Sequence, residues 1–250
     1  MLHFSSRSTG DVYRINGTGK VQALMNTAGS PSGLAIGASG SMFVADLDHR
    51  AVVMGTGDDA SMQIVVAMYE DKEFLGPHSI VYGKDGSFFF TDSGPFGETG
   101  VHNAKGSVYC VTGGASQMLK PLILGSLAYP TGLCLAPAGT GEVLYVCETM
   151  ANRVLRFVRQ ATAWHCSVFH QFSGRIGPQA IAVDDDGTIY VGHKGLKGMD
   201  SGCVSVLGKD GKLIDEIDLD NTHSVTGVTV QSGGYLFATD EQGNVYRVAL

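Results

Sequence analysis

The chain has little charge, and least of all positive charge. Of its 250 residues only 16% are charged, Lys and Arg number 17 against 24 Asp and Glu, and the net charge is −7. The basic residues stand singly, whereas phosphate backbones demand a basic stripe or patch, so nucleic acid is excluded as an expected partner. No apolar run reaches the roughly 18 residues of a membrane span. The start, Met1-Leu2-His3-Phe4-Ser5-Ser6-Arg7, carries no signal-peptide core. A soluble, intracellular protein with no membrane span is expected. Cys110, Cys134, Cys147, Cys166 and Cys203 lie in strand-like runs without C-x-x-C spacing. That removes zinc-ribbon and thioredoxin-type chemistry and leaves reduced thiols packed as small hydrophobes. Gly-x-Ser-x-Gly, P-loop and dinucleotide fingerprints are missing too, and with them the usual serine hydrolase and nucleotide readings.

Glycine is abundant by contrast, with 35 residues, and 44% of the chain is hydrophobic. Such a balance suits strands that turn back every ten residues or so around a large core. A five-residue signature recurs as Pro31-Ser32-Gly33-Leu34-Ala35, Pro77-His78-Ser79-Ile80-Val81, Pro130-Thr131-Gly132-Leu133-Cys134, Pro178-Gln179-Ala180-Ile181-Ala182 and Val225-Thr226-Gly227-Val228-Thr229. Successive copies stand 46, 53, 48 and 47 residues apart, the period of propeller blades. Each is followed by a second run with an aromatic residue first and, save one histidine, an acid fourth: Phe43 to Asp46, Phe89 to Asp92, Tyr145 to Glu148, Tyr190 to His193 and Phe237 to Asp240. Turn pieces such as Lys84-Asp85-Gly86-Ser87 separate the two runs and suit tight hairpins. The runs are therefore adjacent antiparallel strands, a and b, and two further runs, c and d, complete a four-stranded unit.

These repeats predict an all-β, six-bladed β-propeller in one domain over 1–250, with blades at about 1–28, 29–74, 75–127, 128–175, 176–222 and 223–250. Gly10-Asp11-Val12-Tyr13-Arg14-Ile15 aligns with Gly243-Asn244-Val245-Tyr246-Arg247-Val248, which makes the first blade b, c and d and the last a, b and c. Strand a of the first and strand d of the last are then absent. An N-terminus reaching beyond Met1 is expected, because closure is how propellers protect strand edges; the alternative is that Met1 to Phe4 and the tail improvise the closure.

In such a meander the start of strand a, the end of strand b and the b-to-c connection share one face beside the central channel. One ring of candidate ligand-binding residues on that face is Ser32, His78, Thr131, Gln179 and Thr226; a second ring is Arg7, Asp46, Asp92, Glu148, His193 and Asp240. The long connection 93–106, with Glu98 and His102, belongs to the same face, as does 194–202. Asp46, Asp92, Glu148 and Asp240 are the candidate metal ligands, although carboxylates at such positions also serve to hold backbone N–H groups. His78, His193 and Glu148 are the catalytic candidates, since imidazoles on one face act as general base and partner or bind a softer metal such as zinc. His165, Cys166 and His170 are not expected to form a cluster, because strand alternation sends the two histidines to opposite sides.

Tyr129-Pro130-Thr131-Gly132-Leu133, with Leu144-Tyr145-Val146-Cys147-Glu148-Thr149, Asn152-Arg153-Val154-Leu155-Arg156 and Phe90-Thr91-Asp92-Ser93-Gly94-Pro95-Phe96-Gly97, resembles the senescence marker protein, gluconolactonase and strictosidine synthase-like superfamily of six-bladed propellers, itself close to NHL-type repeats. For hydrolytic members the resemblance implies calcium or another divalent cation at the channel mouth. Its implied ligands are a Glu of the first blade's strand a and Asn or Asp just after the a-strand prolines. Here those places hold Ser32, His78, Thr131 and Gln179, and the Glu has no counterpart. Hydroxyl, imidazole and amide groups weaken the field that retains a hard cation. The expectation is thus a binding platform for a small molecule or a protein segment at the channel face, with no cofactor firmly implied. A divergent metal-dependent lactonase or esterase-type hydrolase is the alternative.

Overall fold

Short runs of Val, Phe, Ile and Tyr bounded by glycine turns favour antiparallel strands. The computed structural model, which describes residues 1–56, 62–137, 142–173, 177–194, 202–219, 222 and 224–250, arranges them in six meander sheets and one small hairpin. The fold class is a six-bladed β-propeller. The chain divides into two units, Met1–Tyr129 and Pro130–Leu250, each carrying three of the sheets.

In the first unit, blade 1 comprises β1 (Leu2–Ser6), β2 (Asp11–Ile15) and β3 (Val21–Asn26). Blade 2 comprises β4 (Pro31–Ile36), β5 (Met42–Asp46), β6 (Ala51–Gly55) and β7 (Gln63–Val66), followed by a hairpin of β8 (Met68–Tyr69) and β9 (Lys72–Glu73). Blade 3 comprises β10 (Pro77–Tyr82), β11 (Phe88–Asp92), β12 (Gly106–Val111) and β13 (Leu119–Leu127). In the second unit, blade 4 holds β14 (Pro130–Leu135), β15 (Val143–Glu148), β16 (Arg153–Gln160) and β17 (Ala163–Gln171). Blade 5 holds β18 (Pro178–Val183), β19 (Ile189–His193), β20 (Cys203–Leu207) and β21 (Leu213–Asp218), and blade 6 holds β22 (Val225–Gln231), β23 (Tyr235–Asp240) and β24 (Val245–Ala249).

The small third residue of each signature has a steric cause. A Cβ on Gly33 would stand 2.5 Å from Ser79 Cα, and one on Gly132 would stand 2.6 Å from the Gln179 carbonyl oxygen. Neighbouring a strands within each unit approach so closely that glycine, serine or alanine is required there. The aromatic residue near the start of strand b fills space beside its sheet: Phe43 packs against Tyr82 and Phe88 of the next blade at 5.1 and 5.4 Å, and within blade 4 Tyr145 meets Phe169 edge-on at 4.8 Å. Between blades 2 and 3, Val52, Phe74, Phe88, Phe90 and Tyr109 form one buried cluster; between blades 4 and 5, Cys147, Val154, Ile189, Val191 and Leu207 form another. At about 25 cal/mol per Å² of apolar area, such faces supply the main cohesion of a propeller.

Three details depart from the sequence pattern. The β8–β9 hairpin is too short to show alternation. Strands β13 and β17 run to nine residues each, longer than the short runs that mark strands a and b in the sequence. The alignment of the two ends also slips by one residue in pairing: Phe4 faces Tyr13, whereas Phe237 faces Arg247.

Candidate functional site

Each a–b pair breaks register at the same place: between Pro31 and Gly33, Pro77 and Ser79, Pro130 and Leu133, Pro178 and Ala180, and Val225 and Gly227. The first candidate ring lies inside these breaks. A β-bulge leaves its extra residue out of the ladder and re-aims the side chain, so Ser32, His78, Thr131, Gln179 and Thr226 share a backbone device as well as a sequence position. Their environments differ. Ser32, His78 and Gln179 are half-buried and Thr226 is exposed, its hydroxyl 3.1 Å from that of Thr239. Thr131 is sealed: its Oγ1 lies 2.7 Å from Thr149 Oγ1, which in turn donates to the Pro178 carbonyl at 2.8 Å. With the Thr149 proton so committed, Thr131 is the donor to Thr149.

The residues ending strand b stand opposite the signature's first residue: Pro31 faces Asp46, Pro77 faces Asp92, Pro130 faces Glu148, Pro178 faces His193 and Val225 faces Asp240. Asp46 is fully buried, and its Oδ1 accepts the N–H groups of Ser30, Asp48 and His49 at 3.1 Å each, with His49 Nδ1 at 3.0 Å. Burial pushes this carboxyl up, but hydrogen bonds from Thr27, His49 and Ser30 outweigh it and hold the group below the ordinary range. Asp240 behaves alike: burial raises it, while Asn244, Tyr246 and Gln242 donate to it and bring it down. Glu148 is buried and pairs with Arg153 at 2.7 Å. His193 is buried, with Nε2 2.9 Å from Ser205 Oγ and its ring edge-on to Phe172 at 4.6 Å. Ser205 reaches on to Glu216 at 3.4 Å, a connection invisible in the sequence because three strands supply it.

Asp92 differs from its counterparts. It is 3% exposed and accepts Gly76 N–H at 2.8 Å and Leu75 N–H at 3.1 Å, yet its pKa is pushed up to about 6. Burial is the main cause; Glu98 adds to it, and the two N–H groups and Arg50 only partly offset it. Glu98 arrives from the connection 93–106, where a Cβ at Gly94 would stand 2.9 Å from Glu98 Oε2. That connection is internally tied: Thr99 Oγ1 donates to the Ser93 carbonyl at 3.1 Å, and Asn103 Nδ2 donates to the Glu98 carbonyl at 3.1 Å. Phe96 sits edge-on to Tyr129 at 5.4 Å, and Tyr129 edge-on to His78 at 5.9 Å. Tyr129 was missing from both candidate rings, although it directly precedes a signature proline, and its φ of 58° is unusual for an aromatic residue.

The remaining candidates scatter. His170 Nδ1 lies 2.7 Å from the Gly211 carbonyl and its ring meets Phe172, while His165 and Cys166 are exposed. His102 is exposed at the edge of its connection, and most of 194–202 lies outside the described residues. Cys134 and Cys147 are buried free thiols whose pKa values burial pushes up, which leaves them unreactive. Among the described residues no three His, Cys, Asp or Glu side chains are grouped to hold a metal ion. With Asp46 Oδ1 and Asp240 accepting loop N–H groups, Glu148 paired with Arg153 and no three such side chains grouped among the described residues, the carboxylates present do not fit a hard divalent cation. Hollows of about 460 and 290 Å³ lie at strand turns, beside Arg14 and Lys20 and beside Asp184 and Asp185, and no candidate residue lines either. No helix of the described residues is long and apolar enough to cross a membrane.

Residues 2–239 match the model of the SMP-30/Gluconolactonase/LRE-like region. The chain belongs to this family. Lactonase drp35 of Staphylococcus haemolyticus is 24% identical over 218 residues, covering 83% of this chain and 63% of that protein. A gluconolactonase of Zymomonas mobilis is 29% identical over 114 residues, 44% of this chain and 31% of that protein. This member thus spans less than two thirds of the length of these curated relatives. Among solved structures, a Xanthomonas campestris gluconolactonase superposes with a TM-score of 0.81 at 21% identity, over 99% of this chain and 81% of that one. The calcium-binding protein regucalcin of Agrobacterium tumefaciens gives 0.74 at 18% identity, over 98% and 88%. At such identities the superpositions establish the propeller fold for this SMP-30/gluconolactonase-like chain and leave its chemistry to its own residues.

Proposed function

We propose that this propeller is a binding platform for a small ring-bearing carbonyl compound, taken up at the aromatic and acidic face of the first unit. The reading is carried by the chain of edge-on contacts His78–Tyr129–Phe96 beside the carboxyls of Asp92 and Glu98. Phe96 is 58% exposed and presents aromatic surface of the kind that stacks on a cyclic ligand. Asp92, titrating near 6, supplies a proton donor as well as an acceptor close to neutral pH. The left-handed backbone of Tyr129 stores strain of the kind that gathers at ligand clamps.

Turnover is the second reading, favoured by the lactonases among the relatives. In it, protonated Asp92 gives its proton to the leaving oxygen of a lactone or ester, and His78 takes one from the attacking water. No step passes through a cation, because the donor set does not suit one.

The test is a thermal-shift and hydrolysis screen with aldonolactones and aryl lactones, run with calcium and with chelator. Binding raises the melting temperature, and Phe96→Ala or His78→Ala weakens it by about tenfold, the upper end for lost ring contacts. Hydrolysis insensitive to chelator establishes the second reading. No shift with any compound sinks the first.

A further inference from the structure

The chain has four steps from Asn or Asp to glycine: Asn16-Gly17, Asp85-Gly86, Asp186-Gly187 and Asp210-Gly211. All four lie in connections between paired strands, the usual place for them. The fold sets the first apart. Gly86, Gly187 and Gly211 take φ values of 82°, 85° and 80°, and their N–H groups close turns on the carbonyls of Gly83, Asp184 and Gly208 at 3.1, 3.0 and 2.9 Å. Gly17 N–H makes no hydrogen bond among the described residues, and beyond its chain neighbours no atom lies within 4 Å of its Cβ position. Its nitrogen is open to react.

The Asn16 side chain, between β2 and β3, is exposed but tightly held. Its Oδ1 accepts Thr18 N–H at 3.0 Å, the Thr18 hydroxyl at 2.7 Å and Lys20 N–H at 3.0 Å. Three donors on one amide oxygen draw electrons from Cγ and stand where negative charge develops when that carbon is attacked, as in an oxyanion hole. Asn16 Nδ2, the group that must leave, makes no hydrogen bond among the described residues. Arg14 and Lys20 line the hollow beside the turn, and their charges favour a negative centre there.

We propose that Asn16 is a self-modifying site, at which the Gly17 nitrogen attacks Asn16 Cγ and the amide is converted to a carboxylate without an enzyme. The N–Cγ bond forms as the Gly17 N–H proton passes to solvent base. The Cγ–Nδ2 bond then breaks, Nδ2 takes a proton from solvent, and ammonia leaves a cyclic succinimide behind. Water adds to either succinimide carbonyl and opens the ring to aspartate or isoaspartate at position 16. The sum is amide plus water giving acid plus ammonia. Aspartate keeps the three donors and sets a charge beside Arg14 and Lys20. Isoaspartate inserts an extra backbone carbon into the turn that Asn16 N–H closes on the Lys20 carbonyl at 3.2 Å.

For the test, the whole chain is held for weeks at mildly alkaline pH. Isoaspartate is counted by methyl transfer from labelled S-adenosylmethionine with an isoaspartyl methyltransferase, and placed by peptide mass mapping. Label is expected at position 16 and not at Asp85, Asp186 or Asp210, and faster in the folded chain than in a synthetic peptide of residues 12–21. Thr18→Val removes one donor and should slow conversion by about three- to tenfold, the rate equivalent of one neutral hydrogen bond; Thr18→Ser should restore it. Three results overturn the proposal: an intact amide at 16 in the folded chain after the peptide has converted, equal labelling at the three Asp-Gly steps, or an unchanged rate in Thr18→Val.

Discussion

Buried at the end of β11, Asp92 accepts two backbone N–H groups and still titrates near 6, whereas Asp46 and Asp240 are held low by their donors. A carboxyl whose folded pKa is raised binds its proton more tightly in the native state. Its stabilising contribution is full below the unfolded value near 4 and is lost as pH rises through 6. The span corresponds to on the order of 3 kcal/mol. Asp92→Asn should therefore gain stability relative to wild type between about pH 4 and 6.5, with a flat difference above pH 7, in chemical denaturation followed across that range. For Asp46 the sign is opposite: its contribution is present above pH 4 and lost as pH falls. Asp46→Asn should cost about 1–3 kcal/mol at pH 7 through unsatisfied loop N–H groups, and clearly less at pH 3. The acid at the end of strand b was legible from spacing alone. Its charge state was not, because burial, the main cause, and Glu98 on the connection 93–106 act on Asp92 only once the chain is folded.

Among the elements, the a strands carry the strongest local constraint. Gly33→Ala and Gly132→Ala bring a Cβ to 2.5 and 2.6 Å from backbone atoms of the neighbouring strand, and each should cost about 1–3 kcal/mol by urea denaturation. Gly17→Ala is the control: no atom lies within 4 Å of its Cβ position, and its effect should stay within about 0.5 kcal/mol. The strands themselves were visible as alternating runs between turns. The bulge at the second residue of every signature was not, since a ladder irregularity has no hydrophobic period of its own. The one-residue slip between the first and last sheets escaped for a related reason. Identical strings Val12-Tyr13-Arg14 and Val245-Tyr246-Arg247 pair differently although both connections before them run four residues, because the turns close differently: Gly10 N–H donates to the Ser6 carbonyl in the first, whereas Asp240 N–H donates to the Asn244 carbonyl in the last.

For the molecule as a whole, the question is whether a cation belongs to it. A cation present at 100 times its dissociation constant stabilises by about 2.7 kcal/mol, several degrees in melting temperature for a chain of this size. The donor set predicts no such shift: melts with calcium, with zinc and with chelator should coincide within about a degree. A calcium- or zinc-dependent rise that Asp92→Asn or His78→Ala removes would restore the metal-dependent hydrolase reading. The net charge of −7 also predicts weak association with polyanions at any salt concentration, which heparin chromatography checks directly.

Repetition at 46 to 53 residues, with proline, a small residue and an acid at set places, was enough by itself to determine a propeller of six sheets, because each repeat buries its faces only against another. It also determined the family, through the strings around Thr131, Glu148 and Asp92. Which of those polar residues remain available for a ligand was decided by tertiary structure alone. Thr131 donates to Thr149, which donates on to the Pro178 carbonyl, Asp46 is turned onto loop N–H groups, and His78 meets Tyr129, which in turn meets Phe96. Hydrogen-bond satisfaction and burial are properties of neighbours brought together by folding, and no spacing along the chain encodes them.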